Sequence, residues 1–284
     1  MGKAIGLIRI IRPINSLMMG FAVIVGAFLA AQGLISENDV ANLVLGSITA
    51  ITLTGASMAI NDYYDRDIDA VNEPNRPIPS GLIKPWESIV VAAALTMIGL
   101  TSATLTNLLC LLIASFSWIV SVTYSTFGKR TGLPGNLLVS TCISLPFIYG
   151  GVSLKGTIEP NTILFAALAF LANTGREITK GIADVEGDKI KGIKTLAIHY
   201  GPKKAAKSAS IFFMLAVLLS PLPVILGLTK LWFIPPVIAA DIGFVISSIS
   251  LIRNHEKENA KKVKDITLLW MMMGLIAFIA GTIK

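Results

Sequence analysis

Asn61, Asp65 and Asp69 recur every fourth residue where an apolar stretch of membrane-spanning length meets polar chain. Carried on a helix, they share one face and drift only slightly about its axis, so three oxygen-bearing side chains converge. A shorter version follows at Asp184 and Asp188, again four apart and again at the end of an apolar segment. Carboxylates this crowded repel one another unless cations compensate, and hard oxygen donors at this density suit magnesium. Magnesium keeps several waters and takes one or two protein carboxylates, with substrate phosphates completing its coordination. The pattern therefore points to a phosphorylated substrate. The plainer alternative is an acidic helix end neutralised by Arg66 and Arg76. The second cluster, with the same spacing, favours metal binding at Asn61, Asp65, Asp69, Asp184 and Asp188.

Basic residues accompany both clusters: Arg76 in Asn75-Arg76-Pro77, Lys84, Lys129-Arg130, Arg176, Lys180, Lys189, Lys191 and Lys194. Singly, each is explained by the excess of positive charge on the cytoplasmic side of membrane proteins. Together they offer the direct Arg and Lys contacts that an anionic substrate needs. Tyr124 stands close before Lys129 and Arg130, where an interfacial anchor is the commoner role.

The elements that must position these groups are membrane helices. Of 284 residues, 54% are hydrophobic and only 14% charged, well below the roughly 25% charge of ordinary globular proteins. Hydropathy predicts nine spans, near 14–34, 40–60, 88–106, 108–126, 135–154, 161–180, 208–228, 231–252 and 266–283, all helical because irregular backbone cannot face lipid. The first is a span rather than a cleaved leader, since its apolar run lasts to about Leu34. Every Lys and Arg except Lys155, Lys230 and Lys284 then falls on one side. This places the N-terminus and both acidic clusters in the cytoplasm and the C-terminus outside. The net charge of +7 thus reflects topology and lipid headgroups, and no nucleic-acid partner is expected. The expected fold is all-α: nine transmembrane helices around a central cavity with cytoplasmic cap loops, in a single domain over 1–284. Cys110 and Cys142 lie in apolar segments and read as buried thiols. Asp241, inside the eighth span, is expected to hydrogen-bond within the protein. His199 and His255 read as surface residues.

The order, spacing and membrane position of Asn61-Asp62-x-x-Asp65-x-x-x-Asp69 and Asp184-x-x-x-Asp188, with nine spans, resemble the UbiA superfamily of intramembrane prenyltransferases. The resemblance implies a prenyltransferase in which the two motifs hold Mg2+ on the diphosphate of an isoprenyl donor. Its tail would lie in a lipid-open cavity. Arg76, Lys129, Arg130 and Lys180 would contact phosphates, Asp65, Asp69, Asp184 and Asp188 would be catalytic, and Tyr124 would approach the diphosphate or cation. Asn72-Glu73-Pro74-Asn75-Arg76-Pro77-Ile78-Pro79-Ser80-Gly81, Arg176-Glu177-Ile178-x-Lys180, and Asp184-Val185-Glu186-Gly187-Asp188 leading to Lys194-Thr195-Leu196 are similar to the superfamily's archaeal ether-lipid branch. That likeness implies transfer of a geranylgeranyl group from its diphosphate to the free hydroxyl of a lipid-phosphate acceptor, geranylgeranylglyceryl phosphate. An aromatic acceptor such as 4-hydroxybenzoate is the nearest competing reading. An ion or solute transporter is the competitor from another class, against which stands the gathering of acids at one face rather than the bilayer midplane. A CDP-alcohol phosphotransferase would require an Asp-Gly pair that neither cluster contains.

Overall fold

The computed structural model describes residues 2–190 and 192–283, without the side chains of Val71, Asn72 and Ile190. Met1 and two of the basic residues considered above, Lys191 and Lys284, lie outside the described residues, as does the side chain of Asn72. Among those described, every regular element is a helix: α1 (Gly2–Ile10), α2 (Pro13–Ala30), α3 (Val40–Asn72), α4 (Pro85–Thr106), α5 (Leu108–Thr126), α6 (Leu133–Lys155), α7 (Pro160–Ala183), α8 (Val185–Ile190), α9 (Leu196–Tyr200), α10 (Pro202–Leu219), α11 (Leu222–Ile225), α12 (Ile234–Arg253) and α13 (Lys257–Ala280). Short 3-10 turns occupy Glu37–Asp39, Gly128–Arg130 and Leu231–Phe233. The chain divides into two compact units, one of 1–27, 35–127 and 145–159, the other of 28–34, 128–144 and 160–284.

Eight helical stretches among the described residues are long and apolar enough to cross a membrane, one fewer than predicted. The helix that falls short is α7, over the predicted 161–180 span. Its length suffices, but it carries Asn161, Thr162, Asn173, Thr174 and Thr179, all buried. Burial inside the protein, rather than exposure to lipid, makes this composition tolerable, because each polar group can find a partner there. Asn161 Nδ2 donates to the Leu29 carbonyl at 2.6 Å, and Asn173 Nδ2 and Thr174 Oγ1 both reach Ser140 Oγ, at 3.1 and 2.8 Å.

Three boundaries also differ from the hydropathy reading. Helix α3 does not stop near residue 60 but continues through the acidic residues to Asn72. The predicted 208–228 span breaks after Leu219, where Pro221 and Pro223, lacking N–H groups, end one helix and open the short α11. Helix α13 begins at Lys257, nine residues before the predicted start at 266. Its opening Lys-Glu-Asn-Ala-Lys-Lys sequence consists mostly of good helix formers, which a hydropathy scale reads only as polar.

In the first unit, α3 packs along α4 and α5. Ser88 Oγ donates to the Ala59 carbonyl at 2.6 Å, and Thr49 Oγ1 reaches the Gly99 carbonyl at 3.2 Å, so buried hydroxyls bind neighbouring helix backbones. A close backbone approach joins α2 and α6. A Cβ built on Gly26 would stand 2.1 Å from the Phe147 carbonyl oxygen, and one on Gly150 would stand 2.0 Å from that of Val23. These glycines let two backbones touch. In the second unit, α7 packs on α10 and α13, and α12 packs on α13 and α10, around Phe165, Phe213, Phe244, Ile178 and Leu251. Cys110 is buried and Cys142 partly so.

Gly150→Ala is expected to lower the thermal unfolding temperature of detergent-solubilised protein by forcing backbones apart, at a cost of about 1–3 kcal/mol. Gly274→Ala, in α13 where the added Cβ would meet nothing within 4 Å, serves as the neutral control in the same measurement.

Candidate functional site

The first acidic ladder is built by the polar extension of α3. Because the helix runs unbroken from its apolar part, the four-residue spacing becomes a shared face, and Asn61 Nδ2 donates to Asp65 Oδ2 at 3.0 Å. Asp65 is partly buried, whereas Asp69 retains 5% exposure and Asp62, on another face, 3%. Buried carboxylates require cationic partners. Arg76, in the turn after α3, donates from Nη1 to Asp69 Oδ2 at 2.6 Å and stands 3.5 Å from Asp62 Oδ1. Arg12, between α1 and α2, donates from Nη2 to the same Asp62 oxygen at 2.6 Å. Arg66 turns elsewhere: it reaches the Tyr63 carbonyl at 2.8 Å, lies over the Tyr63 ring, and approaches Asp67 at 3.7 Å. Of the two arginines expected to neutralise this helix end, Arg76 bonds the last member of the ladder.

Helix α1 fastens the connection that follows the ladder. Its Lys3 pairs with Glu87 at 2.6 Å, and Arg9 Nη2 donates to the Asn75 carbonyl at 2.9 Å. Ile10, fully buried, joins Ala56, Ala59, Ile60, Ile78 and Ile83 in one apolar cluster. Residues read from the sequence as topological charges thus hold the loop carrying Arg76. Tyr124 lies partly buried in the last turn of α5.

The second cluster belongs to the other unit. The Asp184 amide donates to the Lys180 carbonyl at 3.0 Å and the Asp188 amide to the Asp184 carbonyl at 2.9 Å, so helical bonding carries past the end of α7 into α8 and preserves the spacing. Asp184 is exposed and Asp188 partly buried. One to two turns before Asp184, Glu177 accepts from Arg176 Nη1 at 3.2 Å and from Lys180 Nζ at 3.4 Å, which pairs the charges that would otherwise burden this helix. Arg176 Nε remains buried without a hydrogen-bond partner among the described residues. Lys129 and Arg130 form the turn Gly128–Arg130, and the Lys194 amide donates to the Arg130 carbonyl at 3.2 Å, tying that turn to the segment after α8. Lys257, at the start of α13, pairs with Glu186 of α8, and its ammonium holds the Glu186 carboxyl below the ordinary range. This pair was not singled out in the sequence, where Lys257 stood among lysines of topological character. Asp241 accepts from Ser220 Oγ at 2.6 Å, the internal hydrogen bond expected of an acid inside a span.

Among the described residues, no group of three or more His, Cys, Asp or Glu is gathered closely enough to enclose a metal by itself. The donors available are an amide oxygen and carboxylates, without sulfur or imidazole. Such hard oxygen donors fit magnesium, an ion that keeps waters and shares substrate phosphates rather than filling an all-protein cage. Each motif places oxygen donors four residues apart along helical backbone, the first with Arg76 bonded to its last member.

Comparison with known proteins accords with this arrangement. A digeranylgeranylglyceryl phosphate synthase of Natronomonas pharaonis is 40% identical over 230 residues, covering 80% of each chain. The enzyme of that name from Methanosarcina mazei is 37% identical, covering 96% of this chain and 97% of its own. A solved structure concerned with digeranylgeranylglyceryl phosphate synthase in membranes superposes with a TM-score of 0.87 at 31% identity, covering 99% of both chains. A UbiA homolog from Archaeoglobus fulgidus bound to DMAPP and Mg2+ superposes with a TM-score of 0.72 at 24% identity, covering 96% of this chain and 98% of that one, a likeness of fold. The model of the UbiA prenyltransferase family matches residues 19–276. With acidic ladders at the ends of membrane helices and a match over nearly its whole length, the chain belongs to the UbiA prenyltransferase family.

Proposed function

We propose that this integral membrane enzyme transfers a geranylgeranyl group from geranylgeranyl diphosphate to the free hydroxyl of geranylgeranylglyceryl phosphate, forming the second ether bond of an archaeal lipid. The observation that carries the reading is the Asn61–Asp65–Asp69 ladder with Arg76 bonded to its last member. Arg76 and the ladder together offer oxygen ligands for a cation and a guanidinium for phosphate oxygens. The relatives named above support the choice of acceptor.

Asn61, Asp65 and Asp69, and likewise Asp184 and Asp188, would be the oxygen donors for magnesium. When bound, the metal neutralises charge on the diphosphate as it leaves. The chain's own groups do the rest. Arg76, Lys129, Arg130 and Lys180 contact phosphate oxygens, whose negative charge grows as the allylic carbon–oxygen bond breaks and its electron pair moves onto the diphosphate. Tyr124 lies toward the diphosphate or the allylic cation. Apolar helix surface keeps water from the cation until the acceptor hydroxyl attacks, forming the new carbon–oxygen bond and losing its proton. The distribution of Lys and Arg assigns this chemistry, together with the N-terminus, to the cytoplasmic side and the C-terminus to the outside.

Purified enzyme given labelled geranylgeranyl diphosphate with geranylgeranylglyceryl phosphate or 4-hydroxybenzoate should yield the diether alone; prenylated 4-hydroxybenzoate as the main product would reassign the acceptor. Chelation should abolish turnover and added Mg2+ restore it, while Asp65→Ala and Asp188→Ala in folded protein should each cost about a hundredfold or more in kcat. Near-normal turnover in either variant would remove that residue from the ligand set. For sidedness, Glu258→Cys should react with a membrane-impermeant thiol reagent from the cytoplasmic face only, and Lys230→Cys from the outer face only.

A further inference from the structure

The arginine between α1 and α2 lies in none of the motifs, yet its geometry is demanding. Arg12 adopts a left-handed backbone with φ of 45°, one of two non-glycine residues with positive φ among those described. Glycine would occupy this conformation without strain. A strained residue kept in place by its surroundings directs attention to its side chain, and that side chain ends 2.6 Å from Asp62. Asp62 is nearly fully buried, next to the ladder but not on its face, and accepts the Arg12 bond through the same oxygen that faces Arg76 at 3.5 Å. Arg76 therefore stands between two acids, bonded to Asp69 and within reach of Asp62.

Resting on the assignment of Arg76 to substrate phosphate, we infer that Arg12 is a positioning residue for donor binding: by satisfying Asp62, it keeps Arg76 from being captured by that acid. The physical reason is charge balance in a place with little water. Two buried carboxylates face two guanidinium groups, and each acid has one short bond to its own arginine. Removing Arg12 leaves Asp62 buried without its short ion pair, an imbalance that a mobile cation nearby relieves at once. Arg76 is that cation. Drawn toward Asp62, it turns from Asp69 and from a ligand that Asp69 helps to bind. Helix α1 carries the arrangement as a unit, because Lys3 and Arg9 hold it to Glu87 and to the Asn75 carbonyl on either side of the Arg76 turn. The same helix that anchors the loop supplies the charge that leaves its arginine available.

The test measures KM for geranylgeranyl diphosphate and for the acceptor separately in membrane-extracted enzyme. Arg12→Gln should raise the donor KM about tenfold and leave the acceptor KM within about twofold. Adding Asp62→Asn removes the competing acid, and the double variant should return to within about threefold of the wild-type donor KM. Arg12→Lys, which keeps the charge, should fall between the wild type and Arg12→Gln. A double variant as impaired as Arg12→Gln, or parallel increases in both KM values, would make Arg12 a merely structural tether and overturn the inference. An unchanged donor KM in Arg12→Gln would overturn it too, provided that Arg76→Ala raises that KM. If Arg76→Ala leaves donor KM unchanged, the phosphate role of Arg76 fails and this inference with it. Should Arg12→Gln not fold, the double variant, free of the unpaired buried charge, still decides: a donor KM raised tenfold or more excludes release of Arg76.

Discussion

The unbroken length of α3 is the constraint on which the first site depends. Its 33 residues extend about 50 Å, against a hydrocarbon core about 30 Å thick, so a substantial part of the helix must lie outside the apolar layer. The acids occupy that extension. A loop would leave them to find one another at an entropic cost, whereas the helix fixes their spacing and direction by the same hydrogen bonds that carry it through the bilayer. Even the Asn61–Asp65 bond follows from this, since side chains four apart meet only while the helix continues.

Fixing acids in place creates an electrostatic problem that the surrounding chain resolves. Asp62 and Asp69 are too buried to rely on water, and the structure answers each with a guanidinium from a different segment, one just before α2 and one just after α3. Guanidinium suits the task because its several donors allow one group to engage an acid and still address a second anion. In the other unit, Glu177 shares its charge between Arg176 and Lys180. Both regions pair acids with cations contributed by nearby chain.

Much of this was legible in the chain. Both acidic ladders and most of the membrane helices follow from spacing and hydropathy, which report local periodicity. What escaped depended on partners distant in sequence or on burial. Lys3, Arg9 and Arg12 look like any positive cluster ahead of a first span, and only the packed α1 reveals that each has an assigned partner. Arg76 was expected to contact phosphate or, in the plainer alternative, to neutralise the helix end, but its particular bond to Asp69 was not legible, because side chains seven apart across a helix end meet only if the turn between them closes. Helix α7 was read as one more apolar span, whereas its Asn and Thr residues are buried, and hydropathy cannot separate a polar residue facing a neighbour from one that ends a span. The charged start of α13 erred in the opposite direction, where a strong helix former was mistaken for loop.

The contacts of α1 also bear on how the protein is assembled. Arg12 bonds a residue 50 positions later and Arg9 one 66 positions later, and Lys3 must wait longer still for Glu87. At ordinary synthesis rates of several residues per second, these basic groups wait seconds for their partners, two acids and the Asn75 carbonyl. Their partners exist only once α3 and the start of α4 have been made. The contacts that fasten α1 around the first acidic motif therefore close only after that motif has been synthesised.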